Sequence, residues 1–275
     1  MTWSELSELS ELSELSDAAF GPTPGVWPLP DAVTDTDLWL RAVAAGGQGR
    51  YGSARADLSE LLRRRPAAGL ASLALSTRAS FTRQQGWHAV ARGDDGAALA
   101  LLDDPRAHPE AAVDALAGLA ADALGAGRLA AAAALLARAA ECHGSAQRPA
   151  PRLAVRLAWV QAELAMAAGH PAAAREHAHR GVDLAAAGVL RRHQVKSDVV
   201  LAAALCSAGD LVASRRVADG ALADSEALGL VPLRWALACL LAEVGSESHS
   251  PAAVAEIRDR SATFIARHGG RLRFG

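Results

Sequence analysis

The sequence predicts an all-α protein built as a solenoid of about six antiparallel helix hairpins, and three observations predict it. Hydrophobic residues fill 51% of the 275 positions while aromatics fill only 4%, so the apolar content is alanine, leucine and valine. Alanine has the highest helix propensity and lets helices approach closely. Gly49, Gly86, Gly127, Gly169, Gly209 and Gly245 each end one helical stretch and precede another, 36 to 42 residues apart. Small residues recur around them. Seven positions before each glycine stand Ala42, Ala79, Ala120, Ala162, Ala202 and Ala238; five after stand Ala54, Ala91, Ala132, Ala174, Ser214 and Ser250.

The offsets have a packing reason. Two antiparallel helices joined by a tight turn touch closely only where both present small residues. Glycine supplies the positive φ that ends the first helix. Nine positions after the turn, Leu58, Leu136 and Val254 are large enough to fill the gap to the next hairpin.

In chain order, residues 1–33 read as a flexible tail and linker. "SELSELSELSELSD" (4–17) places leucine at every third position. Each step of three residues falls about 60° short of a helical turn, so the leucines spread around the helix. The segment is either a partly helical tail or a helix that docks on a partner or on the domain. "GPTPGVWPLPD" (21–31) is rich in turn formers and reads as a linker. The solenoid spans 34–268, and 269–275 form a C-terminal tail. The expected helix pairs are 34–48 with 51–65, 68–85 with 87–102, 109–126 with 129–143, 150–168 with 171–187, 190–208 with 211–228, and 232–244 with 251–268. "RGDDG" (92–96) holds two glycines and two aspartates, which predicts a break or a frayed start in its helix. "GSESHSP" (245–251) predicts a longer turn in the sixth pair.

Composition narrows the function classes. A net charge of −2 gives no field that draws the whole chain to nucleic acid or membrane. No apolar run reaches transmembrane length without charges or helix breakers. "MTWSELSELS" lacks a basic region followed by an apolar block, so no signal peptide is expected. Cys142, Cys206 and Cys239 are odd in number and widely spaced, which suits reduced thiols in a cytoplasmic protein. Alanine richness and arginine over lysine suggest a bacterial genome of high GC content.

The first hairpin, with Ala42, Gly49, Tyr51, Ala54 and Pro66, resembles the tetratricopeptide repeat family. Later hairpins lack the aromatic after the turn, and their period near 40 resembles repeats of bacterial signalling and transcription regulators. The resemblance implies a right-handed superhelix in which the first helices line a concave groove that receives partner peptides. Some members of that family hold a terminal carboxylate with cations in the groove. The chain has no GxxxxGK[ST] loop.

Groove positions carried over from the resemblance fall ten and thirteen residues before each turn glycine, with others six and three before. They include Trp159 and Trp235, Arg156 and Lys196, Glu163, and Arg83. Arg152 and Arg192 stand one turn before Arg156 and Lys196. These residues form either a basic groove with an aromatic floor or ordinary solvated surface. As a groove they suit an acidic or carboxylate-bearing peptide. The patch is short for nucleic acid, which requires several phosphate contacts.

Chemistry-bearing motifs are sparse. His170, His177 and His179 cluster in sequence, but 177 and 179 point to different helix faces. HExxH, paired CxxC and GxSxG are missing from the sequence. No catalytic residue, metal or cofactor is assigned. The expected function is a non-catalytic protein–protein interaction module, an adaptor or regulator in signalling or transcription. The alternative is a self-associating solenoid whose groove is capped by its own acidic N-terminal tail.

Overall fold

The computed structural model describes residues 14–147 and 149–273, which form helices and turns with no strand among them. A helical turn, α1, covers 14–19. Twelve helices follow: α2 (Asp35–Gly47), α3 (Tyr51–Arg63), α4 (Ala68–Gln84), α5 (His88–Ala100), α6 (Pro109–Gly125), α7 (Leu129–Ser145), α8 (Pro151–Ala167), α9 (Pro171–Ala187), α10 (Arg191–Ser207), α11 (Leu211–Ala227), α12 (Val231–Val244) and α13 (Pro251–Arg267). From α2 onward they pair as six hairpins. Their bounds fall within a few residues of the expected ones.

The six turn glycines adopt φ between 70° and 87°. The six alanines seven residues before them are all fully buried, as are Ala54, Ala91, Ala132, Ala174 and Ser214. Ser250 departs from the series. The longer turn moves the start of α13, and Ser250 becomes an exposed N-cap accepting from the Ala253 amide. Val254 is then the first buried residue of that helix.

First helices pack on first helices, from α2 through α4, α6, α8 and α10 to α12. Side chains tie neighbours across this layer. Trp39 Nε1 donates to Thr77 Oγ1 at 3.0 Å, and Trp159 Nε1 to Ser197 Oγ at 2.8 Å. Both partners lie 38 residues away, one repeat along.

Two regions differ from the sequence expectation. "RGDDG" lies inside an unbroken α5. Asp94 makes a bidentate ion pair with Arg78 (2.9 and 2.8 Å), and fully buried Asp95 pairs with Arg83. These tertiary partners offset the weak local propensity. The composition of 1–33 predicts a flexible tail, but within its described part residues 15–20 are packed, while much of 21–33 is exposed. Leu15, Ala18 and Ala19 are buried, and Phe20 lies 5.5 Å from Trp39 and 6.2 Å from His193. Gln48 Nε2 donates to the Pro24 and Val26 carbonyls, both at 2.9 Å. Most of the "SELSEL" repeat lies outside the described residues.

The ends of the array meet. The Gly52 amide donates to the His268 carbonyl at 2.7 Å, and Trp87 Nε1 to the Arg271 carbonyl at 2.8 Å. The Arg273 amide donates to the Gln85 carbonyl at 2.9 Å. Leu38 and Tyr51 share a core with Val231 and Ile265. Six hairpins therefore close into a ring, with the first helices inside. The expected open groove is a partly enclosed interior.

Candidate functional site

The interior holds a cavity of about 350 Å³. Arg83 reaches it from α4, Arg156, Trp159 and Glu163 from α8, Arg192 and Lys196 from α10, and Trp235 from α12. The carry-over from sequence therefore gathers seven of its eight residues around one space. The eighth, Arg152, is corrected. It is 5% exposed and lies outside the cavity lining. Its guanidinium pairs with Asp114 (2.6 Å) and Glu110 (2.7 Å) and sits 5.0 Å from the Phe20 ring.

The basic patch is largely neutralised within the protein. Arg83 holds Asp122 at 2.8 Å and also pairs with Asp95. Gly118 makes room for the Asp95 carboxylate, which occupies the place a Cβ would take. Arg156 holds Asp114 at 3.2 Å, and Lys196 lies 3.7 Å from Glu163. Arg192 differs. Its polar contact is a hydrogen bond to the Val43 carbonyl at 3.3 Å, and no carboxylate among the described residues acts on it.

The electrostatics follow from burial and from these partners. Burial, with Arg152 and Arg156 nearby, lowers the Arg192 pKa to about 10. Burial, with Arg192 next, pushes His193 well below the ordinary histidine range, so its imidazole is neutral at pH 7. Burial raises Asp95 to about 7 against the pull of Arg83. For Asp114 burial acts in the same direction, but Arg152 and Arg156 outweigh it and lower the pKa.

His193 is the residue the sequence reading missed. It stacks on Trp159 with 5.3 Å between ring centroids and 21° between planes. Its Nδ1 is buried without a hydrogen-bond partner among the described residues. The available signal was its position beside Arg192 on the first turn of α10. Pro232, Leu233 and Leu272 also line the cavity, and Leu272 comes from the segment assigned to the C-terminal tail. A second missed signal is arginine eight before the turn glycine with aspartate eight after it. It predicts Arg41–Asp57 (2.7 Å) and Arg78–Asp94 (2.8 Å) in the first two hairpins.

Among the described residues, no three His, Cys, Asp or Glu side chains converge as metal ligands. No described helix is long and apolar enough to cross a membrane. Fold and site together define an array of helical hairpins whose ends meet, around a partly enclosed cavity of small-ligand size. No protein-family model matches the chain, and no curated protein matches it in sequence.

Proposed function

We propose that the protein is a non-catalytic interaction module, an adaptor or regulator, whose interior receives a carboxylate-bearing segment of a protein partner. The observation that carries this reading is the convergence of Arg83, Arg156, Arg192 and Lys196 with Trp159 and Trp235 on one cavity. Arginine offers planar, bidentate recognition of carboxylates, and tryptophan offers rigid apolar area. Asp95, Asp114 and Asp122 are each held by arginines, which suits groups that keep the wall in shape. The resemblance of the first hairpin to tetratricopeptide repeats supports the same face as the binding face. The mechanism is passive: a preformed cavity spares the ordering cost that binding otherwise carries.

The test is capture of partners by wild type, Lys196→Glu and Trp235→Ala proteins, each shown to be folded by circular dichroism. A partner held by wild type and lost by both variants supports the reading. Undiminished capture by both overturns it.

A second reading, self-capping, is favoured by the Phe20 ring between Trp39 and His193, beneath Arg152. In this reading the N-terminal segment is itself the ligand of the ring. Deleting residues 1–30 would then raise partner affinity, and unchanged affinity would count against it.

A further inference from the structure

Three features of the cavity point to one ligand chemistry. The first is a charge without a counter-charge. Among the described residues, each other cation on the wall has a carboxylate partner, while Arg192 has the Val43 carbonyl and the Phe20 ring, 6.0 Å away. A guanidinium carries five N–H donors, so most of its capacity is open. The second is an orphan polar atom beside it, the buried His193 Nδ1. Nδ1 of the neutral imidazole donates a hydrogen bond in one of its two tautomers. Buried polar groups are rarely left unpaired, so an anionic partner accounts for the open capacity of Arg192 that the protein alone does not fill. The third is an apolar remainder. Trp159, Val160, Leu233, Trp235 and Leu272 line the same space. Glu163 is also on the wall and penalises a second negative charge. A volume of about 350 Å³ suits a small molecule.

We propose that the Arg192–His193 corner of the cavity binds a small monoanionic carboxylate carried on a planar apolar body, such as an aromatic acid. The carboxylate takes the Arg192 fork, and the ring packs against Trp159 and Trp235. The proposal rests on reading the cavity as the binding site, and it names a free small molecule as the occupant.

Calorimetric titration of the full chain with phenylacetate, phenylacetamide and acetate tests it. Phenylacetate should bind saturably. The amide, without the charge, should bind about tenfold or more weakly. Acetate, without the ring, should be weaker to a similar degree, about tenfold. Arg192→Gln should remove the preference for acid over amide. The acid–amide comparison needs no variant, so it decides the matter even where Arg192→Gln fails to fold. Equal binding of acid and amide overturns the proposal, as does acetate binding as tightly as phenylacetate. A blocked acidic peptide, acetyl-Asp-Glu-Phe-amide, separates the two sources of carboxylate. If the peptide binds and phenylacetate does not, the small-molecule assignment falls and the partner-segment reading survives. If neither binds, both fall.

Discussion

The Arg192 side chain of α10 lies against Gly47 at the end of α2, where its Cδ and Nη1 would stand 2.9 Å from a Cβ built on the glycine. A residue of the fifth hairpin thus rests on the first, and glycine is what lets it do so. Gly47→Ala should displace Arg192 and break its bond to Val43. Alanine is the better helix former by about 1 kcal/mol, and the obstruction is a flexible side chain. The melting temperature should therefore hold or rise while the acid-over-amide preference of the cavity falls. An unchanged preference would mean that Arg192 finds the same position by another route.

Asp95 should make stability depend on pH in a definite direction. Burial raises its folded pKa from the usual carboxylate range to about 7. A carboxyl raised in this way stabilises the fold most below its unfolded pKa, and the contribution is lost as pH rises through about 7. The stability difference between wild type and Asp95→Asn should therefore shift against wild type from pH 4 to pH 7 and level off above. Urea midpoints at pH 4, 5, 6, 7 and 8 measure it; a flat difference would show that burial does not hold the proton.

The glycines divide into two kinds with opposite responses. Gly169 has a φ of 73° and open space where a Cβ would go, so Gly169→Ala isolates backbone strain. It should cost about 1 kcal/mol. Gly93 is exposed inside α5, with nothing near a built Cβ and no positive φ. Gly93→Ala should add about 0.5–1 kcal/mol. Thermal unfolding of the two variants should move in opposite directions.

Residues 14–33 should behave as part of the fold. Leu15 is fully buried among ring residues. Leu15→Ala should cost about 2–5 kcal/mol in chemical denaturation, as for other core leucines. A cost near zero would return the segment to the class of tails.

Much of the hairpin layout was legible because it is local. A positive φ at Gly86 or Gly127, and the burial of Ala79 and Ala91, depend on side chains within one repeat. The α5 error shows the limit of local reasoning. Asp94 and Asp95 look like helix breakers until Arg78 and Arg83, on the preceding helix, are brought opposite them. The offsets before each glycine likewise brought seven candidate residues to one face. They could not say which cations were already paired. Asp114 stands 38 residues before Arg152, and its carboxylate takes both Arg152 and Arg156.

Six glycine turns and the alanines flanking them are enough to specify hairpins and their order, since each hairpin is stabilised by neighbours one repeat away. Closure is of another kind. It depends on Gly52 meeting His268 and on Phe20 reaching His193, contacts between residues some 170 to 220 positions apart in the chain. No periodicity encodes them, because they arise from the summed rotation of all six hairpins. That rotation turns a row of first helices into a cavity, and it leaves Arg192 beside Gly47 as the one wall cation without a carboxylate among the described residues.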